Sequence, residues 1–284
     1  MPVAIVTDTC HYLPAEVVAR AGLHEVSLYV HWPEGAQREG DISDYGAYYR
    51  RLGSDPVLPT TSQPSIGDFL AVYEPLLEDG HEIVSIHLSG GISGTVHAAE
   101  QARDQLGERA SRVVIVDSET ACGGEGLVAV AAAAAARRGA DATAVAEHAR
   151  RARAGLKTWF AVDTLEYLRR GGRIGGAQAW LGSALKIKPI LTLEREITPV
   201  ERVRTARRAL ERLMQLLEER AHEGADAWMV QHIRAAETAD ALVKRGTELF
   251  GAPPISVSEI GPVIGTHVGP GMLAVGGLPS SFLA

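Results

Sequence analysis

Two segments of this 284-residue chain are crowded with hydroxyl side chains. "TTSQPS" (60–65) supplies Thr60, Thr61, Ser62 and Ser65, and "SGGISGT" (89–95) supplies Ser89, Ser93 and Thr95 among three glycines. Glycine lets backbone N–H groups approach a ligand closely. Ser93 and Gly94 stand just before a helical stretch, where unpaired N–H groups and the helix dipole favour an anion. Neither segment contains lysine or arginine. Such a set suits one small anionic headgroup, for instance a carboxylate, better than a polyphosphate. Singly, these residues have a plainer reading as helix caps and turns.

A third segment, "GTHVGPG" (265–271), sets His267 among Gly265, Gly269, Pro270 and Gly271. That composition predicts a rigid tight turn presenting an imidazole at a cleft. There a histidine can donate a hydrogen bond to a carboxylate or assist a proton transfer. "GISGT" matches a nucleophile elbow only loosely, because Thr95 stands where G-x-S-x-G needs glycine. An acyl ester hydrolase using Ser93, His267 and an acid such as Asp117 is the alternative this leaves. The chain has no GxxxxGK[ST] and no GxGxxG after a strand. No nucleotide site, cofactor or metal site is expected, and the chain is not expected to be an enzyme by itself.

The elements that must carry these segments follow from periodicity. "VAIVTD" (3–8), "EVSLYVHW" (25–32), "EIVSIHL" (82–88) and "RVVIVD" (112–117) predict strands. Helices are predicted over 43–52, 65–77, with Asp68 in capping-box position, 95–106 and the alanine-rich stretch around 127–136. Residues 53–65, with three prolines, are expected to be loop. Strand, loop and helix thus alternate as in a parallel sheet covered on both faces, whose ligand loops gather at the carboxyl ends of the strands. Beyond Gly155 the pattern changes. Strands are expected at 158–163, 188–194, 196–203, 226–233 and 254–260, the middle pair as a hairpin, with helices at 204–223 and 236–250. Short helices are expected on either side of "RRGGRIGG" (169–176). The expectation is an α/β chain of two domains: residues 1–155, a three-layer α/β/α unit with a parallel sheet, and residues 156–284, a two-layer α/β unit with a mixed sheet.

Composition bounds the function. Hydrophobic residues make up 46% and charged residues 22%, enough to bury a core and a cavity. The formal charge of −7 argues against a nucleic-acid partner. Cys10 and Cys122 have no metal-type spacing and are expected to be free thiols. "MPVAIVTDTC" shows no basic leader, so a cytoplasmic location is expected.

Taken together, "VTDT" (6–9), "TTSQPS", "SGGISGT", "VDS" (116–118) with "GGEG" (123–126), "VDTLEYLRRGGRIG" (162–175), "IKPIL" (187–191) and "GTHVGPG" follow the order and spacing of one family over nearly the whole chain. The chain resembles the DegV family, bacterial fatty-acid-binding proteins that serve as the binding subunit of a fatty acid kinase. The resemblance implies a long-chain fatty acid buried with its carboxylate between two domains. It would be presented to a separate kinase that makes an acyl phosphate for phospholipid synthesis. Carried over, the carboxylate would be held by Thr61 and Ser93, with His267 close by and Ser62 and Gly94 contributing through backbone contacts. Val162, Leu165, Ile190, Leu191 and Ile264 are candidates for the acyl pocket, with ordinary core as their plainer reading. The first loop departs from the family: Cys10-His11 replaces small polar and acidic residues, and His11 is expected at the surface, with contact to the headgroup as the alternative.

Residues 169–212 carry eleven Lys or Arg against four acids, a local charge of +7 on an acidic chain. Charge blocks are often solvated faces. Arg170, Arg173, Arg202 and Arg204 are expected to form a docking patch, for an acidic kinase subunit or transiently for an anionic membrane surface. A sensor that signals lipid occupancy through the same patch is a further alternative.

Overall fold

The computed structural model describes residues 1–181 and 187–284. The first part of the chain runs β1 (Val3–Asp8), α1 (Ala15–Ala21), β2 (Leu23–Val26), β3 (Tyr29–Trp32), β4 (Gly35–Arg38), α2 (Tyr45–Ser54) and β5 (Thr60–Ser62). It continues through α3 (Ile66–Glu78), β6 (Glu82–His87), α4 (Thr95–Gln105), β7 (Val113–Asp117), α5 (Gly123–Arg137) and α6 (Ala142–Gly155). Strands β2-β1-β6-β7 form a parallel sheet. Such a sheet must be covered on both faces, and β1 and β6 are accordingly buried along almost their whole length. Phe69 and Tyr73 of α3 and Ala98 and Ala102 of α4 pack on one face. Leu127 and Ala132 of α5 and Val145 of α6 pack on the other. The expected three layers are therefore present. α3 starts as its sequence dictates, with Ser65 and Asp68 closing a capping box.

The second part runs β8 (Lys157–Ala161), α7 (Glu166–Arg170), β9 (Lys188–Glu194), β10 (Glu196–Val203), α8 (Ala206–His222), β11 (Ala227–His232), α9 (Ala236–Phe250), β12 (Ser256–Glu259), α10 (Pro262–Val268) and β13 (Leu273–Leu278). The sheet order is β10-β9-β8-β13-β11-β12, with β11 and β12 parallel and the other pairs antiparallel. The expected hairpin is present, turning at Arg195. Leu213 and Leu217 of α8 and Leu242 of α9 cover the outer face of this mixed sheet. The inner face turns toward the first half. The alanine-rich α5 lies between the two sheets and is buried nearly all round, which small side chains permit.

Four local expectations are corrected. Residues 25–32 are two strands in different sheets, because the chain leaves the parallel sheet at Ser27 and Leu28. Thr60–Ser62 is not loop but β5, paired antiparallel with β3 in a small sheet of order β4-β3-β5. "GTHVGPG" is not a tight turn throughout. Pro262 at the first helical position starts α10, and Gly269, with φ of 75°, ends it, so His267 sits on a helix. The short helix expected after 176 is a 3-10 turn over Gly175–Trp180. Lys186, one of the basic residues counted above, lies outside the described residues.

Candidate functional site

A cavity of about 300 Å³ lies between the inner face of the mixed sheet and the loops at the carboxyl ends of β6 and β7. That is where a parallel sheet collects its ligand loops. Its apolar walls come from Leu28, Leu88, Ile92, Phe160, Leu193 and Ile197. Thr61, Ser62, Ser93, Gly94 and His267 all line it, so the three hydroxyl- and glycine-rich segments do converge on one space.

Each polar group is placed by its element. Thr61 is the central residue of β5, Gly94 caps α4 with Ser93 before it, and His267 is in the last turn of α10. Thr61 Oγ1 lies 2.8 Å from His267 Nε2. Burial, and secondarily the positive charge of Arg173, push the His267 imidazole down to about 4. The ring is therefore neutral at pH 7 and carries one N–H. Its Nδ1 is buried without a partner among the described residues. A buried N–H left unpaired costs more than an acceptor left unpaired, so the hydrogen belongs on Nε2 and is donated to Thr61 Oγ1. The Thr61 hydroxyl hydrogen is then free to point at a ligand. Ser93 Oγ lies 2.8 Å from Thr95 Oγ1 and accepts from Thr95 N–H. The result is a donor-rich end to an apolar space, with Arg173 also on its lining.

The comparisons with known proteins agree. A family model described as "Uncharacterised protein, DegV family" matches residues 2–280. The chain belongs to the DegV family. It is 36% identical to Protein DegV of Bacillus subtilis over 278 residues, 97% of this chain and 98% of that protein. It is 42% identical to the DegV domain-containing protein SCO2569 of Streptomyces coelicolor, over 96% of this chain and 97% of that protein. Among solved structures it is similar to a DegV family protein from Thermus thermophilus described for its fatty acid binding. The TM-score there is 0.88 at 34% identity, over 98% of this chain and all of that one. It is equally similar to DegV of Bacillus subtilis, described as a fatty acid binding protein (TM-score 0.88, 34% identity, 98% and 99% coverage).

In this DegV chain the acyl-pocket candidates divide. Ile264 lines the cavity. Val162, Leu165 and Leu191 belong to the same hydrophobic cluster as the walls Leu28, Phe160 and Leu193 without lining the cavity themselves, and Ile190 faces the other side of the sheet, in the cluster of the α8 leucines. Successive strand residues point to opposite faces, and the sequence does not say which face is hollow. Among the wall residues not expected from the sequence are Gln63, which follows Thr61 and Ser62 in "TTSQPS", and Cys122, which immediately precedes "GGEG".

The docking arginines are all exposed. Arg173 also lines the cavity, and its guanidinium donates to the carbonyls of Ile92 and Gly171. Arg170, with Arg169, is paired to Glu166. Arg202 stacks 5.3 Å over the Trp180 ring. Much of the remaining basic stretch is paired locally, Arg207 and Arg208 with Glu211, Arg212 with Glu201 and Glu219.

The hydrolase constellation is not assembled. Ser93 bonds Thr95, His267 bonds Thr61, and Asp117 accepts from the N–H groups of Gly90 and Glu119. His11 is not at the surface. It is 1% exposed, accepts from Leu13 N–H at Nδ1 and lies 2.9 Å from Glu25 at Nε2, which removes it from the headgroup. Cys10 and Cys122 are free thiols. Among the described residues, no group of three His, Cys, Asp or Glu is placed to hold a metal ion, and no helix is long and apolar enough to cross a membrane.

Proposed function

We propose that this chain binds a long-chain fatty acid, with the carboxylate at Thr61, Ser93 and His267 and the acyl chain along the apolar walls. The observation that carries the reading is the Thr61–His267 pair at the polar end of an otherwise apolar cavity. The fatty acid binding of the Thermus thermophilus and Bacillus subtilis relatives supports it. The energetics suit a carrier. Each buried methylene contributes about 0.8 kcal/mol, so the tail supplies affinity and the hydroxyls need only fix orientation. The carboxylate accepts from the Thr61 hydroxyl, the Ser93 hydroxyl and the N–H groups that open α4, among them that of Gly94. Ser62, whose hydroxyl bonds His31 Nε2 at 2.7 Å, contributes through its backbone.

The bound acid is then presented to a separate fatty acid kinase, which phosphorylates the carboxylate. The partner's acidic surface meets the patch of Arg170, Arg173, Arg202 and Arg204. Arg173 serves both the rim of the cavity and this patch, so Arg202→Glu is the cleaner reversal. It lowers kinase-supported acyl phosphate formation and leaves the lipid bound.

Mass spectrometry of an organic extract of the purified native protein tests the binding. A stoichiometric fatty acid, lost in a folded Thr61→Ala, Ser93→Ala double variant, is the expected result. An empty extract, together with failure to take up added fatty acids, overturns the reading.

A further inference from the structure

The headgroup cavity has a neighbour. On the outer side of β5 lies a more open cleft of about 450 Å³, lined by Tyr29, His31, Ser65, Asp68 and Gln101 among others. The two spaces share Ser62 and Gln63 and no other wall residue among those described. Ser62 is fixed. Its backbone pairs with Tyr29 in the small sheet, and its hydroxyl is bonded to His31. Gln63 is not fixed. It follows the last paired residue of β5, its side chain is exposed, and its carboxamide makes no hydrogen bond with the described residues. That carboxamide lies directly over Gly94, so closely that a Cβ at position 94 would collide with it. Gly94 in turn is the residue after Ser93, at the start of α4. The movable part of the partition between the outer cleft and the headgroup end is thus one unanchored side chain resting on a glycine.

We propose that Gln63 is a gate through which a polar group in the outer cleft reaches the carboxylate. The inference rests on the fatty-acid reading above. With the cavity filled by an acyl chain, nothing can approach the carboxylate from within. An exposed, unbonded glutamine rotates at little cost, because no hydrogen bond is broken. When it swings aside, the space above Gly94 becomes a channel, and the absent side chain at position 94 is what leaves room. In the reaction proposed here, a carboxylate oxygen attacks the γ-phosphorus of a nucleoside triphosphate held by the partner. The bond to the bridging oxygen of the β-phosphate breaks, and the nucleoside diphosphate leaves with that electron pair. No lysine or arginine lines the outer cleft among the described residues. The cations that stabilise the transferring group therefore come with the partner.

The gate can be tested without the kinase. The lipid-loaded protein is treated with a water-soluble carbodiimide and an amine, and the fatty amide in the organic extract is measured by mass spectrometry per mole of bound lipid. Gln63→Ala is expected to raise the rate of amide formation several-fold over the natural chain, and Gln63→Trp to lower it. Normalising to bound lipid separates the gate from changes in affinity. Equal rates in all three proteins, with lipid present, overturn the gate and leave the fatty-acid reading standing. Absence of lipid, before and after adding fatty acid, removes the reading and the gate with it.

Discussion

Thr61 Oγ1 and His267 Nε2 lie 2.8 Å apart although 206 positions separate them in the chain. The contact joins β5 in the first half to α10 in the second, so this polar end of the cavity exists only when both are in place. Other first-half groups hold the same helix. Tyr48 Oη lies 2.6 Å from Thr266 Oγ1, and the buried Glu39 accepts from Val263 N–H at 2.7 Å. A ligand gripped by Thr61 and His267 therefore adds to bonds that already hold the two parts together.

The depressed His267 imidazole makes an acid limb of stability. An unfolded histidine protonates near pH 6.5, whereas the folded one waits until about 4. Between those values the unfolded chain holds more protons, so stability falls with pH. The contribution is complete above the unfolded value and is lost as pH falls through the folded one. Histidine ring resonances of the lipid-free protein should show a midpoint near 4 for His267, and loading with fatty acid should raise it, because a carboxylate nearby favours the imidazolium. A midpoint near the ordinary value in the lipid-free protein would contradict the buried, neutral ring.

Thr61→Val keeps the shape of the side chain and removes its hydroxyl. A hydrogen bond to a charged group contributes about 1.5–3 kcal/mol, so fatty acid affinity should drop about 10- to 100-fold. The fold should survive with a lower melting temperature, because among the described residues the hydroxyl bonds only His267, whose Nε2–H loses its acceptor. Isothermal titration of delipidated protein with fatty acid reads the affinity, and a thermal melt reads the fold. Unchanged affinity in the valine variant would place the carboxylate elsewhere.

Gly265→Ala tests why the histidine's helix is so bare. A methyl group at this position would run into the ring and hydroxyl of Tyr49. Tyr49 is buried and donates to the Ile260 carbonyl at 2.7 Å, just before α10 begins. Overpacking of this kind costs about 1–3 kcal/mol. The substitution should lower the melting temperature and also weaken fatty acid binding, because α10 carries His267. A melt and an affinity both indistinguishable from the natural chain would show that the tyrosine yields freely.

The layers of this fold were legible because their causes are local. The apolar runs of β1 and β6 demand cover on both faces, and the alternation on either side of Arg195 demands a hairpin. β5 was hidden because its partner, β3, lies some thirty residues earlier and its own surroundings are rich in proline. α10 was hidden because its glycines drew the eye from Pro262, which marks its start. That Thr61, Ser93 and His267 would meet at one cavity was legible as a family pattern. Their grouping with Gln63 was not, since it depends on which side of one strand each residue faces. The same ambiguity misplaced Ile190 against Leu193 on a single strand.

Glu125 is the acid of the motif "GGEG". The residue is fully buried in the first turn of α5, where Thr7 Oγ1 donates to it at 3.0 Å. Burial first, and then the neighbouring Asp8 carboxylate, push its carboxyl well above the usual range. In the folded chain it keeps a proton that the unfolded chain releases at ordinary carboxylate values. From that pH upward the folded state holds more protons, so this group's contribution is fully present below the unfolded value and is lost as pH rises through the folded one. Glu125→Gln replaces the protonated acid with a neutral amide of the same shape. The variant should be at least as stable as the natural chain at pH 7, and its stability should fall less as pH rises. Urea melts at several pH values measure both. A glutamine variant less stable at pH 7, with an unchanged pH slope, would mean that the carboxyl is ionised in the fold and that Asp8 is not its electrostatic partner.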